Sequence, residues 1–596
     1  MLPTQTQHHM TFRRISVVFL ALGSLMILFG PTLLEGIQWT FDPNTFNDDA
    51  RQQIPPLYLD NHLASFVKAL DVHYFHDMLT PGYKGLYRMA LPILDPMTFS
   101  KLLTWLLYGI FLLFLGLTAF RLGGIWATWA TLAFILSSGL HLDGMAGGLP
   151  RSFGPPMIAA LAWMLVTARI LPMAMLTVLA ASVYPVSSVI CGLSLATLLL
   201  LFPATDRSPS PAPVAAWSLK KRFALLAITL AATLLLMLPQ LFSDTARRHG
   251  PLLTTRDCQE FPEIGPQGRY GGDGICTSRD FLPRAMISLS ATGITNGDNT
   301  QSWSTTWREL GRFKLKMWDF SRDELLIGGL WSLIVAASFS LWRKPEVLRL
   351  LIVPAVGAVC FLMAQPLAPY LYLPQRYLEH TAPIILVLLL PVATATLANT
   401  LQHPLFQNRR NPEVVKILAI IFLVIITLLF MGGKGNPKGG FAYSSRDSAP
   451  LYDFFVQLPE DALIAGWPRG IINNLSLVTK RSVLLSKETH QAFHRDITRT
   501  MRQRMNDLID ALYATTPTPL LQLRDRHGVT HLLVDRELFT QKKPLKYFAP
   551  FQTRIEEQFA RVMANGTFEL ERQLAHAEVY RDARYSIIDL KRLHGN

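Results

Sequence analysis

The sequence predicts a polytopic α-helical membrane protein with a C-terminal α/β domain outside the cytoplasm. Three observations predict it. Half of the 596 residues are hydrophobic and only 16% are charged, less charge than a soluble enzyme of this length carries. The apolar residues gather in blocks long enough to cross a bilayer, which takes roughly 20 residues each as helix, and helices leave no backbone group unpaired in lipid. After residue 450 the pattern changes to short apolar runs alternating with charged helical stretches.

Apolar blocks place spans near residues 15–35, 101–120, 123–141, 153–169, 223–242, 325–342, 348–364, 382–400 and 416–432. The run 170–202 is too long for one untilted span at ~1.5 Å rise per residue. Tyr184-Pro185 divides it into two short helices, because proline breaks the hydrogen-bond ladder, which brings the total to about eleven spans.

With that division the basic clusters Arg13/Arg14, Arg121, Arg207/Lys220–Arg222, Arg343/Lys344/Arg349 and Arg409/Arg410/Lys416 all fall on one side, as the positive-inside rule requires. The N-terminus is therefore expected in the cytoplasm and the C-terminal region outside it. The first span reads as an anchor, since no small-residue cleavage site follows it convincingly. The domain organisation is 1–432 for the membrane domain with outer loops 36–100 and 243–324, a Gly/Lys/Pro linker 433–449, and a soluble domain 450–596.

The net charge of +14 is accounted for by basic cytoplasmic loops and an Arg-rich tail, and calls for no nucleic-acid partner. Cys191 and Cys360 sit in apolar spans as small buried residues. Cys258 and Cys276 share the second outer loop, where a disulfide is chemically permitted and would contribute ~3 kcal/mol by closing a loop of this size. In the tail, ALIAGW, SVLLS, HLLVD and YSIIDL read as strands, with helices around 490–514 and 519–527 between them.

Three outer turns carry candidate chemistry. The first holds Asp48 and Asp49, either as a helix cap or as a carboxylate serving as general base or divalent-cation ligand at the membrane surface. Neighbouring helical residues point about 100° apart, so one of the pair is expected to face a site and the other to cap or solvate. The amphipathic segment from Asp60 to Arg88 suits the membrane interface. The second turn, HLDGMAGGLPRSFGPP, offers His141, Asp143 and Arg151, with a Gly-rich turn and a snorkelling arginine as the plain reading. The third, PQRYLEHTAP, offers Arg376, Tyr377, Glu379 and His380; arginine suits phosphate through its paired donors, and an interfacial anchor is the alternative. His490 and His494 lack an HExxH context for zinc, and no Walker or GxSxG motif is present.

These pieces resemble the GT-C superfamily of membrane glycosyltransferases, which includes oligosaccharyltransferase subunits, protein O-mannosyltransferases and aminoarabinose transferases. NDDA at Asn47–Ala50 is similar to the catalytic acid of that family's first loop, HLDG at His141–Gly144 falls where a second acidic site is common, and QRYLEHTAP resembles its arginine-tyrosine segment. The resemblance implies transfer of a sugar from a polyprenyl-phosphate-linked donor to a glycan, lipid or protein acceptor on the non-cytoplasmic face. Asp48 or Asp49 would be general base or metal-associated, Asp143 a supporting acid, and Arg376 the donor-phosphate contact, with Tyr377, Arg151, His141 and Glu379 around the substrate. A divalent cation, Mg or Mn, is compatible with the acidic pair, but the second loop has no DxD or DxE pair. A WWD-type acceptor motif is absent, which argues against protein N-glycosylation. Two other functions compete. One is a non-catalytic GT-C-like scaffold or assembly factor; the other is a transporter, disfavoured because few charged residues lie inside the spans.

Overall fold

The computed structural model describes residues 5–62, 66–138, 140–201, 217–241, 244–271, 275–276, 344–368, 370, 373–400 and 440–593. The spans expected at 325–342 and 416–432 lie outside these residues. Five described helices are long and apolar enough to cross a membrane: Phe19–Phe41, Pro96–Leu136, Leu219–Gln240, Pro345–Ala364 and Gln375–Thr396. The chain is a multi-pass helical membrane protein. Leu230, Leu235 and Ile228 along Leu219–Leu241 are among many large apolar side chains left uncovered by protein, as lipid-facing helices require.

Glycine and proline set the breaks. The long helix Pro96–Ser138 is two helices across a kink, with Gly124 at φ 76°, a left-handed conformation open to glycine without strain. Ile170–Val183 and Pro185–Leu201 part at Tyr184, where the following proline cannot continue the ladder. Gly154–Val166 is short and almost wholly buried, packed within a core that includes Leu107, Phe111, Leu161, Ile190 and Leu388.

The C-terminal residues build a five-stranded mixed sheet in the order β4-β3-β5-β7-β6. Its strands are β3 (Leu463–Gly466), β4 (Ser482–Val483), β5 (His531–Asp535), β6 (Glu578–Arg581) and β7 (Tyr585–Asp589). β3 runs parallel to both β4 and β5, while β7 is antiparallel to β5 and β6. The four strands expected from the sequence are β3, β4, β5 and β7; β6 was not expected. Helices cover both faces. Ala449–Gln457 and Ile471–Thr479 bury Leu451, Phe455, Ile472 and Leu475 on one side. Arg495–Leu512 buries Ile497, Met501, Met505, Leu508 and Leu512 on the other, a stripe at helical spacing.

The arginines of Arg495–Leu512 have specific partners. Arg495 pairs with Asp257, Arg499 with Glu260 at 2.5 Å and Arg502 with Glu263 at 2.6 Å. All three lie over the Phe261 ring. Glu260 and Glu263 belong to the loop closed by the Cys258–Cys276 disulfide, and Asp257 immediately precedes it.

The segment 60–88, expected along the membrane interface, packs in part against the C-terminal region. In the helix Leu70–Met78, Tyr74 and Phe75 join the core beneath the C-terminal sheet, and Tyr74 Oη is 2.9 Å from His494 Nδ1. An apolar helix face looks the same in sequence whether lipid or protein covers it. Residues 440–446, expected within a free linker, are held too. Strands β1 (Thr45–Phe46) and β2 (Tyr443–Ser444) pair antiparallel, Trp39 Nε1 donates to the Phe441 carbonyl at 2.7 Å, and Arg446 reaches Asp42 at 2.6 Å.

Candidate active site

The loop after the helix Gln5–Phe41 presents its acids through a short turn. Asn47 Oδ1 accepts the Asp49 backbone N–H at 3.0 Å, and its amide donates to the Gly440 carbonyl at 2.9 Å. The chain then enters the short helix Ala50–Gln53. Asp49 occupies the cap position but makes no capping hydrogen bond, so the helix-cap reading of the acidic pair is not what the side chains do. Asp48 pairs with Arg51 and Asp49 with Arg151 at 2.8 Å.

The expectation that only one of the two carboxylates faces the site is also corrected. Asp48, Asp49 and Glu488 offer oxygens that all lie within 4.8 Å of one another. The turn before Ala50 is not regular helix, so the 100° separation of helical neighbours does not apply. Glu488 comes from the loop after β4 and escaped the sequence reading, because a lone acid in SKETH carries no periodic or motif signal. Arg51 bridges the two regions. It pairs with Asp48, lies 3.5 Å from Glu488, donates to Asn474 Oδ1 at 3.2 Å and stacks over Tyr443 at 4.3 Å. Its side chain is only 5% exposed; a guanidinium so enclosed requires such partners. Arg269, from the disulfide loop, holds Glu488 from the other side at 3.2 Å.

The second turn meets this group through Arg151. Asp143 lies behind it: its backbone is against Gly440, whose carbonyl takes the Asn47 amide. Burial raises the Asp143 carboxyl to about 6, and its Oδ1 has no hydrogen-bond partner among the described residues. His141 is buried against Phe111, ring centroids 5.2 Å apart. The third turn follows. Arg376 donates to Glu379 at 3.1 Å, Tyr377 is buried in the bundle core, and His380 is 3.0 Å from Tyr184 Oη. His380 also packs against Gly154. His490 is buried among Tyr547, Phe548 and Phe551.

Chemically, the group holds three carboxylates in reach of one another and three guanidiniums that neutralise them. Oxygen donors of this kind fit a hard divalent cation, and a carboxylate released from its arginine can accept a proton.

No family model and no curated protein matches the sequence. Solved structures do. The oligosaccharyltransferase AglB from Archaeoglobus fulgidus, in complex with an inhibitory peptide and a dolichol-phosphate, is 12% identical, with 94% of this chain and 72% of that one covered at a TM-score of 0.46. ArnT from Cupriavidus metallidurans, bound to undecaprenyl phosphate, is 13% identical, with 95% and 98% covered at 0.45.

Proposed function

We propose that this protein is a membrane glycosyltransferase that moves a sugar from a polyprenyl-phosphate-linked donor to an acceptor on the non-cytoplasmic face. The observation that carries the reading is the meeting of Asp48 and Asp49 with Arg151 of the second turn and Glu488 of the C-terminal region. The lipid class of the donor and the cellular side follow from the motif resemblance and the distribution of basic loops. The periplasmic placement of residues 450–596 as one domain belongs to the same proposal.

In this reading Asp48 or Asp49 takes the proton from the acceptor's hydroxyl or amide as the acceptor attacks the anomeric carbon. The bond from that carbon to the phosphate oxygen breaks, and the leaving phosphate gathers negative charge. Arg376, with Arg151 nearby, supplies the opposing positive charge. Asp143, half-buried and raised toward neutrality, supports the turn that positions the acidic pair. Where a divalent cation binds, Asp48, Asp49 and Glu488 would hold it. It would supply further charge stabilisation for the phosphate.

The test is the profile of lipid-linked sugars and surface glycans in cells lacking the protein, complemented at matched expression with wild type, Asp48→Ala, Asp49→Ala or Asp143→Ala. The expected result is loss of one sugar from a glycan, accumulation of its lipid donor, and failure of Asp48→Ala or Asp49→Ala to restore it. A second reading has its own support: every carboxylate of the cluster already has a guanidinium partner, as a purely structural junction would. Full restoration by all three variants would establish that scaffold reading instead.

A further inference from the structure

The loop that brings Glu488 to Asp48 and Asp49 leaves the carboxyl end of β4, and its neighbour leaves that of β3, a parallel strand. β4 lies on one side of β3 and β5 on the other, so the chain reverses its winding there. Ligands of open α/β sheets bind at that edge. The loop after β3 carries Trp467 and Arg469, and the loop after β4 carries Lys487 and Glu488. The two loops are tied together by the Lys487 backbone N–H, which donates to the Pro468 carbonyl at 2.8 Å. Arg269 Nε donates to the Lys487 carbonyl at 2.9 Å.

Charge at this edge is unbalanced. Arg269 and Arg51 flank Glu488, the carboxylate of these two loops. Among the described residues neither Lys487 nor Arg469 has a carboxylate within ion-pair distance. Arg469 instead lies 5.7 Å from the Tyr547 ring, and Tyr547 packs edge-on against Trp467 at 5.5 Å. A half-buried ammonium, an exposed guanidinium and an aromatic wall thus stand together beside the acids.

We propose that the acceptor is an acidic glycan, whose carboxylate or phosphate group is held by Lys487 and Arg469 while a hydroxyl of the same sugar chain is presented to Asp48 and Asp49. This rests on the glycosyltransferase reading above. Guanidinium and ammonium groups recognise both anions, and the aromatic wall offers an apolar face to a sugar ring.

The experiment measures fluorescence anisotropy of labelled tetragalacturonate, 6-phosphomaltotetraose and neutral maltotetraose, with the full chain in phosphatidylcholine nanodiscs. At least one acidic probe is expected to bind tenfold or more tightly than maltotetraose, more weakly as salt is raised. Which of the two binds better tells carboxylate from phosphate. The double variant Arg469→Gln/Lys487→Gln should lose at least tenfold in affinity for that probe. Lys220→Gln/Lys221→Gln removes the same charge at the far end of the helix Leu219–Leu241 and should bind as wild type does. Equal binding of acidic and neutral probes, or equal loss in both double variants, overturns the proposal. If the complementation test shows sugar transfer while the acidic probes fail to bind, the acceptor inference falls alone. If complementation shows no transfer, the acceptor role falls with the function, whatever the probes do.

Discussion

Replacing Asp143 by asparagine should stabilise the protein, and by an amount that depends on pH. The residue is half-buried, its Oδ1 is enclosed without a partner among the described residues, and desolvation raises its pKa from 3.8 to about 6. Between those values the folded state binds more protons than the unfolded state. Stability therefore falls as pH rises through this window and recovers as pH drops. A shift of this size corresponds to about 3 kcal/mol at pH 7.5, and to about half of that at pH 5. Asparagine keeps the shape and removes the charge. The detergent-solubilised Asp143→Asn variant should thus unfold later than wild type in guanidinium chloride at pH 7.5, followed by tryptophan fluorescence, and its advantage should shrink by about half at pH 5. An advantage that stays constant with pH, or a variant less stable than wild type at pH 7.5, would refute the reasoning.

Three further expectations concern the same junction. Cys258→Ser/Cys276→Ser should cost about 3 kcal/mol of loop-closure stabilisation, seen as faster proteolysis of the loop 258–276 without reductant. Tyr74→Phe removes the hydroxyl that meets His494 and should lower stability by about 1 kcal/mol, read from the denaturant midpoint. Mn²⁺ binding, followed by the loss of the free-ion electron paramagnetic resonance signal, should weaken at least tenfold in Glu488→Gln; unchanged binding would remove Glu488 from the ligand set.

The membrane segments were legible because apolar blocks and basic clusters are local signals. The break at Tyr184-Pro185 and the kink at Gly124 follow from single residues whose backbone chemistry is distinctive. The strands β3, β5 and β7 were visible as short apolar runs, whereas β6 is only half-buried and shows no such run. Of the site, Asp48, Asp49 and Arg151 could be singled out one at a time, but nothing in the sequence says that Arg151 reaches Asp49. Glu488 and Arg269 were out of reach for the same reason. Their proximity to Arg51 is made by docking of the C-terminal sheet and by the disulfide loop, and such long-range contacts leave no mark on neighbouring residues. The Arg-rich helix Arg495–Leu512 illustrates the point, since its charged face became intelligible only once Asp257, Glu260 and Glu263 stood opposite.

The pairing of β1 with β2 separates two quantities that are usually coupled in a multi-pass chain: the length of the segment leading to its last domain and that domain's placement. Tyr443 and Ser444 are fastened to Phe46 and Thr45, two to three residues before Asp48, so the acids are indexed from this fastening rather than from the segment that precedes Gly440. A change of length before Gly440 leaves the spacing from fastening to acids untouched. A single added residue between Tyr443 and Ser445 does the opposite, since a one-residue slip turns every paired side chain to the other face. Evolutionary or engineered changes in length should therefore accumulate upstream of Gly440 and be excluded just after it.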